Sequence, residues 1–286
     1  LITCTQRWDQ PYFTLQIIDK QGKPVRAIEV PMPRKAIIHD LQLCGDYVVI
    51  FYPPAYHDIN KAMKGEDPFL WEPQTPAKII AIPRNGGDIL WFETPAFFSW
   101  HFCNGFEQGG KIILDYVWIS SIPFTTEQGS GVEKQPRRMH RMILDLATKK
   151  VTDEQFSDVF CEFSRVDERR MGKDYRYGFA ASSNREWGDA HGYNCTGRYD
   201  FRTGETKLWE FGPEANAGEP VHVPNPDSER EEDGWVMCFV HNPGEGAFLS
   251  ILSAGDFDSG PIAKVHIPGR VPNGFHANWM QGLTLN

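Results

Sequence analysis

The chain has 286 residues, a net charge of −9 and 23% charged residues, an ordinary composition for a globular protein with a sizeable core. The acidic balance argues against nucleic acid as a partner, since phosphate binding wants a basic surface and the Lys/Arg clusters here (Arg137-Arg138, Arg169-Arg170) are only two residues long. No apolar run reaches the 18 residues that would suggest a membrane span.

Along the chain one pattern recurs: an apolar strand, a polar turn rich in Gly, Asp or Lys, and a second apolar strand. It reads LQIIDKQGKPVRAIEV from Leu15, KIIAIPRNGGDILWFET from Lys78 and RMILDLATKKVTDEQF from Arg141. It returns as GRYDFRTGETKLWEF from Gly197 and FLSILSAGDFDSGPIAKVHIP from Phe248. Turn residues between strands of period two predict β-hairpins. Helical periodicity is confined to a short stretch at Asp58–Lys64. Five hairpins at intervals of about 50 to 65 residues point to a blade-type repeat, so the expected fold is an all-β propeller with about five blades in this chain. A two-sheet sandwich ranks second. Residues 1–286 form one expected propeller domain, with the first hairpin at an open edge.

One strand after each hairpin stand His39, His101, Glu162, Glu219 and His276, separated by 62, 61, 57 and 57 positions. The innermost strand of each blade lines the propeller axis, so equivalent positions converge on one point. Several imidazoles converging there would make a site for a divalent transition metal. Any one of these histidines alone reads more simply as a buried, hydrogen-bonded residue. The shared register favours the metal. Asp40, next to His39, should face away from the axis because neighbouring strand residues point to opposite faces. Glu162 and Glu219 should accept from the ligands' other ring nitrogens, by register Glu162 from His101 and Glu219 from His276. The simpler alternative for them is an ion pair with Arg165 or Arg176. The other histidines (His57, His140, His191, His222, His241, His266) fall outside the register and read as surface or loop residues.

Phe98, Trp100, Phe102, Phe275 and Trp279 lie near the ring and suit either an apolar substrate channel or core packing. Phe98, Trp100, Phe102 and Phe275 are the expected substrate contacts. The segments Tyr52–Pro76 and Ser120–Arg138 are candidate caps over the metal face. Six widely spaced cysteines without a C-x-x-C pair suggest reduced thiols and a cytoplasmic protein.

Five segments, in order, resemble the carotenoid cleavage oxygenase family. AIIHDLQLCGDYVVIF carries His39, and FFSWHFCNGFEQGGKIILD resembles the family's F-H-x-x-N-x-x-E stretch with His101, Asn104 and Glu107. CEFSRVDERRMGKDYRYGFA resembles its Glu-Phe-Pro-Arg segment with Ser164 in place of Pro. GEPVHVPNPDSEREEDGWVMCFV contains Glu219, and VPNGFHANWM resembles the Pro-x-Gly-Phe-His segment. The resemblance implies a seven-bladed propeller and Fe(2+) held by four histidines, of which this chain supplies His39, His101 and His276. The fourth would fall before Leu1, so the chain reads as N-terminally incomplete and is expected to hold iron weakly. The implied reaction is cleavage of a conjugated C=C bond by O2 to give two carbonyl products. The substrate would be a carotenoid or apocarotenoid, or alternatively a lignin-derived stilbenoid. An apolar polyene would be taken up through a peripheral membrane contact. A non-catalytic propeller module with vestigial ligands is the reading from another class.

Overall fold

The computed structural model describes residues 1–122, 136–185, 192–272 and 274–282, and their regular structure is almost entirely β-strand, joined by turns and irregular stretches. All five predicted hairpins form. The first sheet holds β1 (Ile2–Gln6), β2 (Tyr12–Ile18) and β3 (Pro24–Pro31) in that order. The second holds β4 (Leu41–Cys44), β5 (Tyr47–Tyr52), β8 (Ala77–Pro83) and β9 (Leu90–Thr94). Between β5 and β8, the Tyr52–Pro76 segment is not a simple loop. It folds into a two-stranded ribbon, β6 (Ala55–His57) with β7 (Phe69–Trp71), and a short helix α1 (Ile59–Met63). Asp58 caps that helix, its carboxylate accepting from the Asn60 and Lys61 backbone N–H groups.

The next sheet has seven strands in chain order: β10 (Phe102–Gln108), β11 (Lys111–Ile119), β12 (Arg137–Asp145), β13 (Val151–Val166), β14 (Tyr177–Ser183), β15 (Cys195–Asp200) and β16 (Glu205–Glu210). The sequence pattern predicts two blades here. The structure joins them, because the 16-residue β13 is outermost in one blade and innermost in the next. Its N-terminal part pairs with β12, and its C-terminal part with β14. Between the halves Phe163 adopts φ 55°, and the register to β14 shifts between Glu162 and Arg165. Positive φ on a bulky residue is an uncommon and costly conformation. Here it turns the strand where the blade changes. The last sheet contains β17 (Asn216–Ala217), β18 (Val221–Val223), β19 (Trp235–Asn242), β20 (Gly246–Ser253) and β21 (Pro261–Ile267).

The core consists of seams between successive sheets, which is why β5 is apolar throughout. Val48 and Ile50 face the first sheet and pack with Phe13, Leu15 and Val30. Val49 and Phe51 face the third sheet and pack with Ile112, Leu114, Tyr116 and Met142. Further seams join Cys103, Phe106 and Val117 to Tyr199 and Phe201, and Tyr177 and Phe179 to Val236, Val240 and Phe248. Close approach is built in at Gly105, where a Cβ would meet the Cys44 sulfur at 2.6 Å. Phe51 is nearly buried and sits 4.3–5.1 Å, ring to ring, from Phe97, Phe102 and Tyr116. Its replacement by alanine should cost about 3–5 kcal/mol in denaturant unfolding, since it empties the middle of a seam.

The six cysteines are all free. No helix among the described residues is long and apolar enough to cross a membrane.

Candidate metal centre

The structure brings His39, His101 and His276 together, with one nitrogen of each lying within 4.8 Å of the others. His101 is the middle one, its ring centroid 5.2 Å from that of His39 and 4.9 Å from that of His276. None of the three lies within a strand. His39 immediately precedes Asp40 and β4, His101 immediately precedes β10, and His276 belongs to the irregular stretch after β21. Asp40 is turned away, although it too precedes β4 and so not by strand alternation, and it has a specific task. One carboxylate oxygen accepts from Leu41 N (2.7 Å) and the other from Phe102 N (2.9 Å), which ties the entry of β4 to the entry of β10. The two imidazoles on those entries are thereby held side by side.

Glu162 lies within β13 and is buried, and its Oε2 accepts from His101 Nδ1 at 2.5 Å and from Phe163 N at 2.5 Å. Glu219, between β17 and β18, accepts from His276 Nδ1 (3.1 Å) through Oε1 and from Ala277 N (2.6 Å) through Oε2. Both pairings follow the register. The ion-pair alternative also holds for Glu219, which meets Arg165 at 3.3 Å, whereas Arg176 is bound to Asp200. With Nδ1 donating, the Nε2 lone pair of His101 points away from its carboxylate. That nitrogen is buried without a hydrogen-bond partner, as expected of an atom placed to bind a metal rather than to satisfy the fold. Three imidazoles, two oriented by carboxylates, are a donor set suited to a divalent transition metal.

Burial, reinforced by the neighbouring imidazoles, holds His39 below the usual histidine range and favours its neutral, ligating form. Burial also pulls His101 down, but the hydrogen bond and charge of Glu162 outweigh it, and the net shift is upward.

The aromatic expectations divide. Trp100 stands edge-on to His39 at 4.7 Å and remains at the site. Phe275 is exposed beside His276. Phe98 and Phe102 are corrected: both are buried, Phe98 with Ala55, Trp71 and Ile119, and Phe102 against Phe51 in the second seam. Phe98 is 0% and Phe102 6% exposed, so both serve core packing. His222 is also corrected, since it is buried, stacked on Phe179, and bonded through Nε2 to the Glu231 carbonyl at 2.9 Å. Of the Ser120–Arg138 cap, residues 123–135 lie outside the described residues, as does His191.

Two residues escaped sequence reasoning. Phe163 lays its ring 5.2 Å from His101 and 5.8 Å from His276, so it contacts both imidazoles. Tyr193 packs edge-on against Phe163 and helps line a cavity of about 410 Å³ that opens on His276 and Glu219. Phe239 and Phe275 supply further apolar wall. The position of Phe163 beside Glu162 was a usable signal for the first. For Tyr193 there was none.

A family model described as retinal pigment epithelial membrane protein (RPE65) matches residues 2–281. The apocarotenoid-15,15'-oxygenase of Synechocystis is 30% identical over 94% of this chain and 56% of its own length. The lignostilbene-alpha,beta-dioxygenase isozyme III of Sphingomonas paucimobilis is 29% identical over 94% of this chain and 59% of its own. An isoeugenol monooxygenase of Pseudomonas nitroreducens is 28% identical over 94% and 60%. The chain thus spans less than two thirds of these relatives. The cobalt-substituted apocarotenoid oxygenase of Synechocystis superposes with a TM-score of 0.88 at 28% identity, over 98% of this chain and 60% of that one. The fold is that of these β-propeller proteins.

Proposed function

Because the chain belongs to the family of the retinal pigment epithelial membrane protein and the carotenoid cleavage oxygenases, we propose that it carries the iron centre of a non-haem Fe(II) dioxygenase. Its substrate would be a conjugated C=C bond of a carotenoid or apocarotenoid. The observation that carries this reading is the convergence of three imidazoles, two of them held by buried carboxylates. His39, His101 and His276 are the ligands, and Glu162 and Glu219 fix the tautomer and ring orientation of the latter two.

Fe(2+), when bound, would supply the activation of dioxygen, which the side chains cannot provide themselves. The residues supply the rest. All three ligands are neutral imidazoles, so they would cancel none of the metal's charge themselves, and only the Glu162 and Glu219 carboxylates behind His101 and His276 would offset part of it. Asp40 holds the His39 and His101 entries together, and the Phe163 ring packs against both His101 and His276. The cavity beside His276, walled by Phe163, Tyr193, Phe239 and Phe275, gives a flat apolar substrate a mainly apolar approach. In the overall reaction one double bond breaks, and each of its carbons keeps one oxygen atom of O2 as a carbonyl.

A stilbenoid substrate is the second reading, supported by the lignostilbene and isoeugenol enzymes among the relatives. Residues 1–286 are read as one domain because the core seams run continuously from the first sheet to the last. Free, mostly buried thiols suit a reducing, cytoplasmic setting, with peripheral membrane contact for uptake of an apolar substrate.

The test is iron stoichiometry after anaerobic loading, then bleaching of an apocarotenal and of a hydroxystilbene under labelled dioxygen. With three of the four implied histidines the chain is expected to take up iron weakly and turn over slowly, and what cleavage occurs should depend on iron and place label in both carbonyls. Full activity in an iron-free preparation would overturn the oxygenase assignment.

A further inference from the structure

The three imidazoles are not anchored alike. His39 and His101 enter paired strands and are tied together by Asp40. His276 lies in a stretch, 271–282, that forms no strand among the described residues. Its apolar neighbours face solvent, with Phe275 77%, Trp279 47% and Met280 65% exposed. Little apolar burial holds this segment down, so its position depends on polar contacts.

Those contacts converge on Arg165, three residues past Glu162 on β13. Its Nη1 donates to Glu219 Oε1 (3.3 Å) and to the Ala277 carbonyl (3.3 Å). Its Nη2 donates to Asn278 Oδ1 (2.8 Å) and to Glu168 Oε1 (2.7 Å). Glu219 completes the clamp by accepting from His276 Nδ1 and Ala277 N. Three consecutive residues, His276 to Asn278, are therefore each held by Arg165 or by the carboxylate that Arg165 faces. A planar fork of donors can bridge a carboxylate, a carbonyl and an amide at once, which a point charge cannot.

We propose that Arg165 is a positioning residue that latches the His276 segment onto the propeller, so that docking of residues 274–280 and metal uptake are coupled. Free energy lost from the latch reappears as weaker metal binding, and a bound metal in turn holds the latch closed. This rests on the reading of the three imidazoles as a metal site.

The experiment uses the intact chain and Co(II) as probe. Affinity is followed by visible absorption, and backbone hydrogen exchange is measured by mass spectrometry with and without Co(II). In the unaltered chain, Co(II) should slow exchange across 274–280 and leave β14 and β15 unchanged. Arg165→Ala should speed exchange across 274–280 and weaken Co(II) binding about 10- to 100-fold, with β14 and β15 again unchanged. Arg165→Lys should recover less than half of the loss, because the charge returns without the fork. Asn278→Ala removes one exposed contact and should weaken Co(II) binding about 3- to 10-fold; if Arg165→Ala does not fold, this variant decides. Equal Co(II) affinity in the unaltered and altered chains, or faster exchange spread through β13 to β15, would overturn the latch. Failure of the unaltered chain to take up Co(II) would instead overturn the metal reading itself.

Discussion

Replacing His101 with alanine is expected to abolish metal binding, and with it any oxygen-dependent cleavage. His101 sits between the other two imidazoles, so its loss removes one ligand and separates the remaining pair. It also removes the only one of the three that is largely buried, with its side chain 13% exposed and Nε2 without a partner. A second effect should appear without any metal. Glu162, with a side chain only 1% exposed, would lose its imidazole partner and keep only the Phe163 N–H. A buried carboxylate deprived of a donor costs about 1–3 kcal/mol. Iron content after anaerobic loading checks the first effect, and denaturant unfolding of the metal-free chain checks the second. Iron bound at the same stoichiometry in His101→Ala would remove His101 from the site.

What the sequence revealed was whatever repeats. Each hairpin advertises itself through turn residues between alternating strands, as at Thr203-Gly204, where Gly204 takes φ 79°. The ring of His39, His101, Glu162, Glu219 and His276 was legible because a propeller maps equal spacing in sequence onto one point in space. What stayed hidden depends on single backbone conformations or on long-range returns of the chain. The merging of two blades through β13 turns on the positive φ of Phe163, a conformation that a phenylalanine does not signal. The Arg165 clamp needs Ala277 to come back across 112 residues, and no local pattern encodes that contact. Phe98 and Phe102 show the limit of reading aromatics by type. Phe98 bridges to Ile119, Phe102 begins β10 beside an irregularity in its register, and both are turned into seams while Trp100 between them faces His39.

Replacing Glu162 with glutamine is expected to weaken metal binding and turnover by about 10- to 100-fold without unfolding the chain, because it alters a ligand's support rather than a ligand. Glutamine has nearly the same shape as glutamate. Its carbonyl oxygen can still accept from His101 Nδ1 and Phe163 N, and its amide would occupy the place of Oε1, which is buried and has no partner. The geometry of the imidazole therefore survives, and what is lost is the negative charge behind it. That charge makes His101 a better electron donor to a metal and offsets part of the metal's positive charge in a buried setting. Removing it also leaves an amide N–H₂ in a pocket with nothing to accept from it, which should lower stability by about 1–3 kcal/mol. Glu162→Ala should be worse in both respects, since His101 Nδ1 and Phe163 N would then lose their shared acceptor. The measurement is Co(II) affinity and visible spectrum for the unaltered chain, Glu162→Gln and Glu162→Ala. The affinities should fall in that order, with the band shape kept in the glutamine variant and changed in the alanine one. Equal affinity across all three would mean that the carboxylate serves the fold of β13 alone and takes no part in holding the metal.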